Sequence, residues 1–112
     1  MPLTVIYIVG GNNLLNICKK AEKEAVFITL DGRLDTTTAP DLEKELKGSL
    51  EGVTSLILDL EKLDYISSAG LRVLLAAQKM MNQQGEMKVV HVCETIMGIF
   101  EVTGFSDILT IE

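Results

Sequence analysis

Ser55-Leu56-Ile57-Leu58-Asp59-Leu60 is the stretch from which the fold of this 112-residue chain is read. Its near-continuous apolar character is that of a strand buried on both faces, as in the middle of a parallel sheet. Downstream, Ser67 or Ser68 opens a long helix that carries Leu71, Leu74, Leu75 and Met81 inward and ends at Gly85. Met87 to Val92 is apolar again. A strand, a helix of this length and a second strand form a right-handed crossover joining parallel partners.

Working outward, Ala25 to Leu30 reads as a firm strand and Leu14 to Lys19 as a shorter one, with the polar Lys20-Ala21-Glu22-Lys23-Glu24 as the turn of a hairpin. Leu3 to Val9 is rich in β-branched residues and stops at Gly10-Gly11-Asn12-Asn13. Unpaired, it would be an aggregation hazard. It must add to a sheet edge, pair with a second copy of itself, or fall outside the native start. After Asp31-Gly32-Arg33-Leu34-Asp35, three threonines precede Pro40, Asp41 and Glu43, the composition of a helix start capped by a Thr side chain. Ala39, Leu42, Leu46 and Leu50 share one face of that helix, Lys44 and Lys47 lie on the other, and Gly52 stops it. Glu94 to Thr103 is a third helix stopped by Gly104, and Ile108 to Ile111 is a candidate last strand. The result is one α/β domain over residues 1–112: a mixed sheet of four to five strands carrying about three helices, with residues 1–13 as an extra strand and turn on a body of 14–112.

Composition removes several classes of function. At 47% hydrophobic and 23% charged, the chain can bury a core, so disorder is excluded as its main state. A net charge of -6 and a pI near 4.7 repel phosphate backbones and anionic headgroups, which argues against nucleic acid and favours a basic partner surface. Cys18 and Cys93 form no CxxC pair, read as buried thiols, and fit a reducing cytoplasm. Leu3 to Val9 is too short to cross a bilayer and no basic segment precedes it, so the expectation is a soluble protein without membrane insertion.

Catalytic machinery is hard to assemble. His91, the only histidine, lies in the apolar run and reads as a structural side chain reaching a polar partner; Cys93, two residues on, would share its strand face. Asp31, Asp35, Asp59 and Asp64 fall near strand ends, where a metal or phosphate could be held, although solvated turn acids explain Asp31 and Asp64 better. No phosphate-binding glycine loop is present. Met80, Met81 and Met97 read as core or near-core filling. No metal, cofactor or catalytic residue is therefore assigned.

Leu63-Asp64-Tyr65-Ile66-Ser67-Ser68-Ala69-Gly70-Leu71-Arg72 stands apart, with adjacent serines at the start of the long helix. One serine suffices as a cap. The other would sit where a phosphoryl group meets free N–H donors and a favourable dipole, with Ala69 and Gly70 leaving room for a kinase. From the residues alone, cap and phosphorylation switch stand level.

These strings, together with Leu30-Asp31-Gly32-Arg33-Leu34-Asp35 and Val102-Thr103-Gly104-Phe105, resemble the STAS domain, and more narrowly the bacterial anti-sigma factor antagonists. The likeness runs from about Leu14 to the C-terminus. It implies a STAS-type fold and a regulator, not an enzyme. In that family the unphosphorylated protein binds an anti-sigma factor that is also a serine kinase, which frees a sigma factor; phosphorylation releases the antagonist, and a PP2C-type phosphatase restores it. By position, the resemblance places the phosphoacceptor at Ser68, with Ser67, where many members carry aspartate, as the fallback. It places partner contacts at Asp35, Thr36, Thr37, Thr38, Ile66, Ser67, Ala69, Gly70, Leu71 and Arg72. The same fold also serves as a subunit of lipid-transport ABC systems or as a signalling scaffold, which is the rival reading. Nucleotide binding is a third. A homodimer through Leu3 to Val9 is a further expectation.

Overall fold

The computed structural model describes the backbone of Thr4–Val9 and the whole chain from Leu14 to Glu112. The expected Gly10–Asn13 turn and Leu3 lie outside the described residues. Strands β1 (Thr4–Val9), β2 (Leu15–Glu22), β3 (Ala25–Leu34), β4 (Ser55–Ile66) and β5 (Glu86–Val90) form one sheet in sequential order. Helices α1 (Ala39–Ser49), α2 (Ser68–Asn82) and α3 (Glu94–Thr103) follow β3, β4 and β5 respectively. β1, β2 and β3 are antiparallel neighbours, whereas β3, β4 and β5 run parallel, so the sheet is mixed. Of the three fates open to the N-terminal strand, β1 takes the first: it pairs with β2 from Thr4 opposite Glu22 to Val9 opposite Ile17, at the sheet edge.

The core lies on one face of this sheet. Register aligns Ile17 with Leu30, Ile28 with Leu58 and Leu58 with Val89, and all of these are buried. Leu42 and Leu46 of α1, Leu74, Ala77 and Met81 of α2, and Ile96 and Phe100 of α3 complete the same cluster. Lys19 also points to this side, where its ammonium reaches Glu45 at 2.9 Å and Ser49 at 2.7 Å on α1. A lysine buried this far is tolerable because a carboxylate and a hydroxyl replace its water.

Several expectations are corrected. β4 is not buried on both faces: Ser55, Ile57 and Asp59 alternate with the buried leucines and are only half-buried, because no helix among the described residues covers the second face. β4 also runs beyond Leu60 to Ile66, and β3 beyond Leu30 to Leu34. The hairpin turn is only Lys23-Glu24, with Lys23 at φ 53°, since Lys20 to Glu22 continue the ladder to a Glu22–Ala25 pair. Leu75 is half-buried, and Val73 and Ala77 go inward instead. Met80 is exposed beside α1, while Met81 is buried and Met97 packs against the core. Cys18 lies on the open sheet face, half-buried, and Cys93 is exposed ahead of α3. Ile108 to Ile111 follows a 3-10 turn (Phe105–Asp107) and makes a single bridge, Val89 to Ile111, in place of a strand.

Two glycines give opposite tests of this packing. A Cβ at Gly85 would collide with the Thr54 carbonyl oxygen, whereas one at Gly48 on α1 meets nothing within 4 Å. Gly85→Ala is expected to lower stability to urea by about 1–3 kcal/mol through overpacking against backbone. Gly48→Ala should raise it by about 0.5 kcal/mol by restricting the unfolded chain.

Candidate functional site

The site forms where β3 and β4 end side by side. Parallel pairing brings Leu34 opposite Ile66, and one residue further the Ser67 N–H donates to the Leu34 carbonyl at 2.9 Å. This bond sets the start of α2 directly beside the loop after β3. Gly70 makes the close approach possible, since a Cβ there would lie 2.7 Å from Leu34 Cγ and 2.9 Å from Ile66 Cγ1.

The β3 side is a self-bonded loop. Asp35 Oδ1 accepts from the Thr37 N–H at 3.0 Å, the Thr37 hydroxyl at 2.8 Å and the Thr38 N–H at 3.2 Å. Thr38, fully buried, accepts from the Asp35 N–H at 2.8 Å and donates to the Arg33 carbonyl at 2.8 Å. The expected threonine cap is therefore corrected: Thr38 occupies the cap position of α1 but makes no side-chain cap bond, because its hydroxyl is committed to the loop behind it. The Thr37 hydroxyl, then the backbone N–H groups of Thr37 and Thr38 and the Thr38 hydroxyl, hold the Asp35 carboxyl below its usual range, against an opposing effect of desolvation. Arg33 adds a contact at 3.7 Å to Asp35 Oδ2 and lies 4.6 Å over the Tyr65 ring. That stack was not legible as a motif; only the bulged register, which pairs Arg33 with Tyr65, brings the two together.

The two serines differ sharply. Ser67 holds the cap position of α2 in an extended conformation, yet its hydroxyl makes no cap bond and is buried with no partner. Ser68, the first helical residue, is exposed. Neither serine hydroxyl therefore caps α2. Of the residues expected around them, Asp35 and Ala69 are half-buried and Thr36, Thr37 and Arg72 exposed, whereas Thr38, Ile66, Gly70 and Leu71 are buried and support the surface from beneath.

The other candidates lie elsewhere. β5 ends at Val90, so His91 is in a turn at φ 57° and not in the strand; its Nδ1 lies 3.1 Å from Asp59 Oδ2, the polar partner expected of it. Cys93 does not share its strand face, because it stands at the cap position of α3 with Sγ 3.9 Å from the Leu63 carbonyl oxygen. Among the described residues, no three His, Cys, Asp or Glu side chains gather as a metal set.

A family profile described as STAS domain matches residues 16–112. The chain belongs to the STAS domain family. It is 39% identical over 84 residues to a Bordetella bronchiseptica protein, BtrV, provisionally named an anti-sigma factor antagonist, covering 73% of this chain and 72% of that one. It is 29% identical over 98 residues to the anti-sigma-B factor antagonist of Bacillus subtilis, covering 87% and 90%. The solved structure of the Bacillus cell fate determinant SpoIIAA in its phosphorylated form superposes with a TM-score of 0.64 at 17% identity, over 96% of this chain and 91% of that one. The STAS fold, a mixed sheet with three helices, is thus the fold of this chain.

The Thr38 hydroxyl makes the loop testable. Thr38→Val should destabilise the domain by about 1–3 kcal/mol, read by urea unfolding, because it strands the Asp35 N–H and the Arg33 carbonyl. Asp35 has a folded-state pKa below its unfolded one. Its loop contribution is accordingly present above about pH 4 and lost as pH falls through the lowered folded value. NMR titration should place its midpoint below that of a free aspartate, and Thr37→Ala should move it back up.

Proposed function

We propose that this chain is an anti-sigma factor antagonist: a binding module, not a catalyst, that sequesters an anti-sigma factor serine kinase and is released when Ser68 is phosphorylated. The observation that carries the reading is the contrast between the serines. Ser68 is exposed at the first turn of α2, whereas the Ser67 hydroxyl is buried without a partner. The naming of the bacterial relatives and the existence of a phosphorylated form of a fold neighbour support it.

Physical chemistry gives the switch its sign. In the unmodified state Thr36, Thr37 and Ala69 present small side chains and the Asp35 carboxylate is already hydrogen-bonded, so a partner can seat closely on this surface. A phosphate at Ser68 adds about -1.5 to -2 charge at the centre of that surface, which repels and desolvates badly against a docked partner. The helix N-terminus tolerates the added charge, so the fold survives while the interface does not. A PP2C-type phosphatase would reset the module, and the pathway would be cytoplasmic. No helix among the described residues is long and apolar enough to cross a membrane. β1 stands at the sheet edge and keeps one side for the self-pairing expected of Leu3 to Val9.

Intact mass after incubation with ATP and a candidate anti-sigma factor serine kinase from the same organism tests the reading. One phosphate is expected on the wild type and on Ser67→Ala, none on Ser68→Ala, with loss of kinase binding on modification. Phosphate lost only in Ser67→Ala would move the acceptor by one residue. An unmodified but folded protein would turn the assignment toward a transporter subunit or scaffold.

A further inference from the structure

Among the described residues, Arg72 is a cation without an ion-pair partner. It is exposed on α2, and none of the ion pairs among the described residues includes it. It lines a shallow groove between the starts of α1 and α2 with Thr36, Pro40, Glu43 and Ala69. Glu43 is the acid lining that groove, and its ion pair is with Lys47, at 3.8 Å one turn along α1. α2 itself carries Arg72 and Lys79 and no acid at all. In a chain of net charge -6, this leaves a basic helix with an uncommitted guanidinium.

We infer that Arg72 receives the phosphate once Ser68 carries it, closing an ion pair within α2; the inference rests on the phosphorylation reading above. Ser68 and Arg72 are four residues apart on one helix, so they occupy neighbouring positions on the same face, about 6 Å apart along the axis. Helical side chains lean toward the N-terminus, which directs Arg72 back over Ser68. The order is also the favourable one, with the anion nearer the N-terminus and the cation one turn later. A planar guanidinium can hold two phosphate oxygens at once, which an ammonium cannot do in the same fixed geometry. Phosphorylation thereby has two effects on a partner surface: it adds a dianion, and it takes Arg72 out of service as a cation for any carboxylate of the partner.

Phosphoserine introduced at position 68 during translation makes the test independent of any kinase. The readout is the second ionisation of that phosphate, followed by phosphorus NMR against pH in the otherwise native full chain. In the wild type its midpoint is expected roughly 0.5–1 unit below that in Arg72→Ala, with Arg72→Lys between them. The gap should shrink at molar salt. Arg72→Ala removes an exposed side chain and should leave the melting temperature of the unphosphorylated domain unchanged, which separates loss of the pair from loss of the fold. Equal midpoints in wild type and Arg72→Ala would overturn the inference. A shifted midpoint in a protein that no kinase modifies would leave the ion pair standing and remove the regulatory reading instead.

Discussion

The hydrogen bond from the Ser67 N–H to the Leu34 carbonyl is the point on which the site depends. It continues the parallel β3–β4 ladder one step past its last side-chain pair, and so fixes the start of α2 against the loop after β3. Without it, an exposed serine and a hydrogen-bonded aspartate would be two unrelated surface features. With it, they belong to one surface resting on buried Leu34, Ile66 and Leu71. Thr36, Thr37 and Ala69 are small, Asp35 is self-bonded and Arg72 is exposed, while Ile66 and Leu71 lie underneath.

Much of this was legible in the sequence because local pattern and tertiary role coincide. The α2 periodicity, the Gly104 stop, now seen in a left-handed conformation at φ 82°, and the strand cores of β3 and β4 all follow from spacing. The strand ends did not. Past Leu60 the buried residues of β4 are Leu63 and Ile66, a spacing of three where an unbroken strand gives two. The cause is a pair of register shifts between β3 and β4, one between Thr29 and Asp31 and one between Gly32 and Arg33. A period-of-two reading stops at the first of these. The second face of β4 was not legible for another reason, since Ile57 makes the run look doubly buried although no helix among the described residues covers that side.

For the site, residue identity was informative and hydrogen-bond direction was not. A threonine before a helix is most often its cap, yet Thr38 turns its hydroxyl backward to tie Arg33 and Asp35 together. Two serines at a helix start suggest one cap and one spare, yet neither hydroxyl caps α2. What separates them is solvent access, which depends on how tightly Gly70 lets the helix sit against Leu34 and Ile66. No single-sequence pattern encodes that distance.

The two register shifts have a consequence for how this chain can vary. β4 advances two residues further than β3 between Thr29 and Leu34, and only with that surplus does Ile66 arrive opposite Leu34. Inserting or deleting one residue between Leu60 and Ile66 would rotate the end of the strand, expose Ile66, and bring a different residue to the position now held by Ser68. Chain length in this short span is therefore held as strictly as residue identity.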